Sequence, residues 1–467
     1  MTLMSTTRRT TRRSPLLGGL ALVTATATLA ACGPGGGGAA GGDGPTDFTT
    51  APTGELAAWA FDNADDVGEA RMAYAEEQLG DVEITMDQTS FDAQKFTTRV
   101  AGGQVPDVVQ MDRRFVPTYA AQGLIQPLDA CYDAHGVVAD ERFYDFVVDD
   151  VQWDDQLWAV PQFYQPPAIL LNTRVLEAAG ITDEQIDTSQ PDVLLQAIAA
   201  TYTEEGGSPT RLGLDPVAAG QAGLWVLGMG GQLTDEDGVP TLDDPSNVAG
   251  VELLKQITDA QGGYAQVKSF TDAFDTFGDA NQYATDQVAA QVNAQWYPNV
   301  LSPYVGDVQV RAVPFLDAEG QPFSVAGGTA FVVPAGAKNP DAACAWMLEL
   351  TEIGAWEAAG EARAATREED GGINTGLFTG SPDADQLVRD RWVVESGDPG
   401  FDQVIATYYE VLDYGKTFGA SPAGQEIGNA LNNAVTAVLL GDATAEEALA
   451  DAQHAAQRAY DNVTAAG

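Results

Sequence analysis

Two short stretches and two histidines are the places where this sequence could do chemistry on its own. YGKTF, Tyr414 to Phe418, holds the Gly-Lys-Thr of a phosphate loop, whose backbone N–H groups and lysine would cradle a phosphate. The position that needs the first glycine is Glu410, and the surrounding pattern predicts a helix, so no nucleotide site is expected. LTDEDGVPTLDD, Leu233 to Asp244, has some of the acidic spacing of a calcium loop. Leu233 takes the first ligand position, however, and Asp244 stands where a long Glu belongs, which predicts an acidic hairpin turn. His135 and His454 are far apart and lack metal spacing. Neither HExxH nor GxSxG occurs, and among 68 acids no carboxylate pair can be singled out for glycoside hydrolysis. Catalysis, a cofactor and a bound metal are therefore all unexpected.

The formal net charge is −46 over 467 residues. A field of that sign repels nucleic acid and anionic lipid headgroups, so nucleic-acid binding is excluded and a soluble monomer is expected. It could attract a cation, but acids dispersed along a chain more often form a solvated surface than a site.

Residues 1–31 read as an export signal. Arg8, Arg9, Arg12 and Arg13 are followed by an apolar run from Leu16 to Leu29, too short to span roughly 30 Å of hydrocarbon. Leu29, Ala30, Ala31 and Cys32 resemble a bacterial lipobox, whose cysteine is diacylated and becomes the mature amino terminus. The resemblance implies a membrane anchor at Cys32, with residues 32–51, rich in glycine, as a tether. TRRSPLL, Thr11 to Leu17, faintly resembles a twin-arginine signal with Pro15 where Phe is usual, so the export route stays open. Removing four arginines from 22 basic residues leaves 18 against 68 acids.

The mature chain exceeds one ordinary core, and two lobes are expected. Glu55 to Phe61 reads as a buried strand, and Val82, Ile84 and Met86 alternate as a strand face. An Ala-rich helix between them ends near Leu79. Ser90 is the expected N-cap of a helix to Val100, followed by a strand from Asp107 to Met111. This βαβαβ order predicts a mostly parallel sheet. Asn339 and Pro340 should open one later helix, and Thr444 with Glu447 another through a capping box. Cys131 and Cys344 each sit on an apolar helical stretch and are read as two buried free thiols, with a disulfide as the alternative.

Trp153 to Thr182 reads WDDQLWAVPQFYQPPAILLNTRVLEAAGIT. It is similar to the segment of ABC-transporter sugar-binding proteins that runs G-x-x-Y-A-V-P, a variable turn, then L-x-Y-N-K-x-L-F-x-E-A-G-L. Trp158 to Pro161 fill the first part, and Leu170 to Asn172, Arg174, Leu176 and Ala179 to Ile181 the second. Pro106 to Asp112, Leu227 to Pro245 and Gly327 to Thr351 resemble further family stretches in the same order.

That resemblance implies an α/β periplasmic-binding fold of type II, two lobes joined by a hinge with a ligand cleft between them. One lobe would comprise 52–163 plus 327–370, the other 164–326 plus 371–467. The crossings would lie near Gln162 to Pro167, Phe323 to Ala326 and around Gly371. It also implies an extracytoplasmic solute-binding protein that delivers a mono- or oligosaccharide to an ABC importer, whose permease and ATPase are separate chains. Alternatives are a polyamine-like cation binder of the same fold and a secreted carbohydrate-active enzyme. A sugar presents an apolar C–H face to aromatic rings and hydroxyls to charged groups, and strand ends and inter-lobe turns are where such folds hold ligands. The expected ligand-binding residues are Phe61, Asp62, Asn63, Asp112, Gly327 and Gly328 in the first lobe. In the second lobe and crossings they are Tyr164, Trp225, Trp296 and Tyr297. For each aromatic the competing role is core packing; for Asp62 and Asp112 it is a helix N-cap.

Overall fold

The computed structural model describes residues 47–61, 65–325 and 327–465. The expected βαβαβ opening is present. Strand Gly54–Trp59 leads to helix Asp66–Leu79, strand Val82–Asp87, helix Ala93–Ala101 and strand Val108–Asp112. Asp65 caps the first helix by accepting from Gly68 N. The second is capped by Asp92, not Ser90: the Asp92 carboxylate accepts from Lys95 N at 2.6 Å, and an ionised acceptor at a helix N-terminus holds better than a hydroxyl.

Five strands form the first sheet, in the order Val82–Asp87, Gly54–Trp59, Val108–Asp112, Thr329–Val332 and Val160–Gln162. The first three are parallel, and Thr329–Val332 returns antiparallel to both its neighbours. A second, three-stranded sheet has Pro167–Asn172 at its centre, antiparallel to Ala290–Ala294 and Val310–Val313. Asn172 ends that central strand and caps helix Thr173–Ala179, which Gly180 closes at φ 70°. Two α/β lobes follow, with helices packed on each sheet. One apolar cluster runs from Leu56 and Phe331 in the first sheet to Leu170 and Ala312 in the second, and another, including Leu171, Trp225, Ile257 and Leu431, fills the second lobe.

The crossings lie side by side. Gln165 N donates to Gly327 O, Phe163 N to Thr379 O, and the Ser324 hydroxyl to Pro167 O. Around Gly371 the chain does not cross. Gly371 closes helix Ile353–Asp370 at φ 68°, and helix Pro382–Trp392 packs back against that same helix. The next helix, Pro399–Glu410, lies on strand Val310–Val313 of the second sheet, so the chain leaves the first lobe after Trp392.

Two further expectations are corrected. Cys131 and Cys344 are joined in a disulfide, because helices Asp129–His135 and Pro340–Leu350 pack together and bring their Cα atoms to 5.8 Å. Local pattern decides that each sulfur is inside, whereas the helix pairing decides that they meet. The YGKTF stretch is helical only at its first residue, Tyr414, where the preceding helical run ends. Val411–Tyr414 is a single 3-10 turn, and Gly415–Lys416 is a short strand paired with Ser324 and Val325. The acidic hairpin turn forms as expected, with Asp235 N donating to Val239 O. Asn339 and Thr444 with Glu447 cap their helices as read.

Candidate functional site

Between the lobes lies a cleft of about 590 Å³. Its first-lobe wall begins where strand Val108–Asp112 ends. Asp112 accepts from Arg114 N and so caps a one-turn 3-10 helix, Arg113–Phe115, which turns both arginines toward the cleft. The Asp112 carboxylate also receives Arg114 Nε at 3.0 Å and Nη2 at 2.9 Å, a two-point pair that raises the arginine's pKa. Asp112 is thus both cap and cleft residue.

Arg113 is buried. Its Nη1 donates to Phe163 O at 2.5 Å, and its Nε lies 3.3 Å from the Asp150 carboxylate, another cleft-lining group. Burial pushes the Asp150 carboxyl up to about 7 against the pull of that guanidinium. Gly327 and Gly328 line the cleft beside it. A Cβ on Gly328 would collide with the Arg113 guanidinium and the Phe163 carbonyl, which is why the chain has no side chain there.

The second lobe contributes Trp296, Asn293, Val217 and the loop 416–421. Trp296 precedes the short helix Tyr297–Leu301 and is 42% exposed, its ring in the cleft wall. Asn293 sits in strand Ala290–Ala294, its amide held by Gln291 and Tyr283. Lys416 pairs with Asp317 at 3.1 Å.

Four expected site residues are core residues instead. Phe61 is buried between Phe331 and Trp346, since the strand end turns its ring under the sheet. Tyr164 is enclosed at the crossing by Tyr144 and Phe146. Trp225, on helix Ala222–Gly228, meets Phe315 edge-on and donates its indole N–H to Pro216 O. Tyr297 is turned inward from Trp296, with its hydroxyl on Thr276 O. None of the four lines the cleft. Asp112, Trp296, Gly327 and Gly328 do, and Asp62 and Asn63 lie outside the described residues.

Sequence reading missed Arg113, Asp150, Val217 and the 416–421 loop. The signal for the loop was present: KTFGAS is a short run of small and turn-forming residues between two helical patterns, and turn-rich connections are where ligands are met. Among the described residues no cluster of His, Cys, Asp and Glu could hold a metal ion.

The family model for bacterial extracellular solute-binding proteins matches residues 62–352. The fold is similar to that of an ABC transporter solute-binding protein from Thermotoga lettingae bound with alpha-D-tagatose, at 17% identity and a TM-score of 0.66 over 87% of this chain and 99% of that one. It is similar to CpMnBP1 with mannotriose bound, at 20% identity and a TM-score of 0.68 over 86% and 99%. It also resembles the GacH receptor of Streptomyces glaucescens, solved unliganded and with acarbose, at 20% identity and a TM-score of 0.64 over 88% and 99%. Among curated proteins no sequence matches the chain.

Proposed function

Because the chain belongs to the bacterial extracellular solute-binding proteins, whose matched family model spans residues 62–352, we propose that it captures a carbohydrate in its cleft and hands it to an ABC importer. The permease and ATPase would be separate chains, and the receptor a monomer that performs no catalysis. The observation that carries this reading is the pairing inside the cleft. Asp112 is bound to Arg114 and Asp150 to Arg113, so the wall offers fixed donors and acceptors at nearly balanced charge beside the exposed face of Trp296. A neutral ligand with hydroxyls and an apolar face suits that wall. A polyamine would need carboxylates left free to meet it, and both acids of the wall are committed to arginines. The sugars in related structures support the same choice: tagatose, mannotriose and acarbose.

Two lobes that share one ligand close by population shift, since only contacts from both sides favour the closed state. Melting temperatures with mono- and oligosaccharides and with spermidine test the reading. A ligand at 100 times its Kd adds about 2.7 kcal/mol. A shift with spermidine and none with any saccharide would sink it.

Attachment through Cys32 is part of the proposal. It is supported by the lipobox and by the family's extracellular character, while among the described residues no helix is long and apolar enough to cross a membrane. Cys32→Ser should release the protein into the medium, and its retention in membranes would count against the anchor.

A further inference from the structure

We propose that Arg113 is a positioning residue that couples the cleft to the hinge. Its guanidinium holds the Asp150 carboxylate in the ligand wall and the Phe163 carbonyl in the first crossing, so a ligand that settles against Asp150 acts on the angle between the lobes. This rests on the reading of the cleft as the ligand site and adds how its occupation reaches the hinge.

Phe163 is where the direction of the crossing is set. It follows strand Val160–Gln162 of the first sheet, and the chain then enters strand Pro167–Asn172 of the second. Its φ of 57° lies in the left-handed region, which a bulky residue keeps only when its surroundings hold it there. The ring stays with the first lobe, edge-on to Trp356 at 5.3 Å. A second buried arginine, Arg71, lies 5.3 Å from the ring centroid and donates to Gln162 Oε1 at 2.7 Å. The Phe163 carbonyl belongs to the next peptide, the one that leads into the second lobe, and Arg113 Nη1 takes that carbonyl at 2.5 Å.

Arg113 is 1% exposed and touches the second crossing as well, its backbone N–H donating to Gly328 O at 3.1 Å. Its Nε meets Asp150 Oδ2 at 3.3 Å, and Asp150 lines the cleft whereas Phe163 does not. A guanidinium is planar and rigid, so a shift at the edge that meets Asp150 is carried to the edge that meets Phe163. Gly328 packs so closely on both the guanidinium and the Phe163 carbonyl that the contact has no slack. Coupling of this kind is reciprocal: what a ligand does to Phe163, a change at Phe163 does to the ligand's affinity.

Variants at Phe163 and Asp150 test this without removing the buried arginine. Phe163→Gly and Phe163→Asn both lose the ring, but glycine frees φ whereas asparagine tolerates the left-handed region and restricts the rest. Asp150→Asn keeps the shape of the wall and removes the charge that holds Arg113 Nε. Each is made with Glu77→Cys and Glu252→Cys, exposed positions on helix Asp66–Leu79 of the first lobe and helix Pro245–Asp259 of the second, spin-labelled to read inter-lobe distances. Without ligand, Phe163→Gly and Asp150→Asn should each broaden the distance distribution, and Phe163→Asn should be narrower than Phe163→Gly. Calorimetry with tagatose, maltose and mannotriose gives affinity. The saccharide that wild type binds should bind Phe163→Gly about 5- to 150-fold more weakly, the usual span of coupling between sites, and Phe163→Asn should lose less. Phe163→Gly should cost less in the Asp150→Asn background than alone. Equal effects of Gly and Asn would make Phe163 a packing residue and overturn the coupling. So would a wild-type width and affinity in Phe163→Gly, or losses that simply add in the double variant. A wild type that binds none of these saccharides would remove the carbohydrate reading, and the distance distributions would then decide the coupling alone.

Discussion

Arg113 and Phe163 join the cleft wall to the crossing between the lobes: the Arg113 Nη1 donates to the Phe163 carbonyl at 2.5 Å. The Phe163 backbone has φ 57°, a conformation that a bulky residue rarely adopts, and it persists because Arg113 takes its carbonyl and Thr379 its N–H. Gly328 lies against both partners. Gly328→Ala would force the guanidinium and the carbonyl apart, and overpacking of this kind costs about 1 to 3 kcal/mol. The urea midpoint of the variant should fall accordingly, and binding should weaken with it. A wild-type midpoint would show that the wall yields more readily than its close packing implies.

Trp296 and Trp225 should separate binding from folding. Trp296→Ala removes a ring that is 42% exposed in the cleft, so ligand-free stability should be nearly unchanged while affinity drops ten- to a hundred-fold, as for stacking worth about 1 to 3 kcal/mol. Trp225→Ala removes a ring 2% exposed, and core losses of that size are about 3 to 5 kcal/mol. Melting temperature and Kd measured on both variants decide the matter. A large ligand-free loss for Trp296→Ala with unchanged affinity would reverse its role.

Val217 faces the cleft with φ 48°, in the left-handed region that is costly for a β-branched residue. Asp215 holds it there by accepting from Val217 N at 3.0 Å, and Gln291 in turn holds Asp215 at 2.7 Å. Strain of about 1 to 3 kcal/mol outweighs the added backbone freedom of glycine, roughly 0.5 to 1 kcal/mol. Val217→Gly should therefore stabilise the ligand-free protein by about 1 kcal/mol in denaturant titration. A lower midpoint would mean that the valine packs more than it strains.

Asp385 gives the fold a pH dependence of definite sign. The residue is 2% exposed and its carboxylate accepts from Thr379 N at 2.6 Å and from the Tyr144 hydroxyl at 3.1 Å, yet burial carries its pKa from 3.8 to about 7. Between about pH 4 and 7 the folded protein holds a proton that the unfolded chain has released, so stability falls as pH rises through that window. Asp150, raised to about 7 by burial, acts in the same direction. The melting temperature should be higher at pH 5.5 than at pH 8, and Asp385→Asn should flatten the difference. An unchanged slope in Asp385→Asn would exclude this carboxyl as its source.

The sequence by itself determined what depends on neighbours along the chain. The alternation of apolar residues in Val82–Asp87, the capping of Pro340–Leu350 by Asn339 and of Ala445–Thr464 by Thr444 and Glu447 are short-range effects, and each was legible. The stretch from Trp158 to Ile181 was legible only as a family resemblance, and the structure gives it physical content: a strand, a capping asparagine and a closing glycine in that order. Only the tertiary structure decided which ring faces the cleft. Trp296 and Tyr297 are adjacent, aromatic and equally apolar in pattern, but the short helix that begins between them sends one ring to the cleft and the other into the core. Cys131 and Cys344 are 213 residues apart, and nothing local to either one specifies the helix pairing that joins them. The last crossing could not be placed at Gly371 from sequence for the same reason. A glycine ends a helix by its own backbone freedom, but which lobe the next helix joins depends on the apolar surface waiting for it, and for Pro382–Trp392 that surface is the helix it has just left.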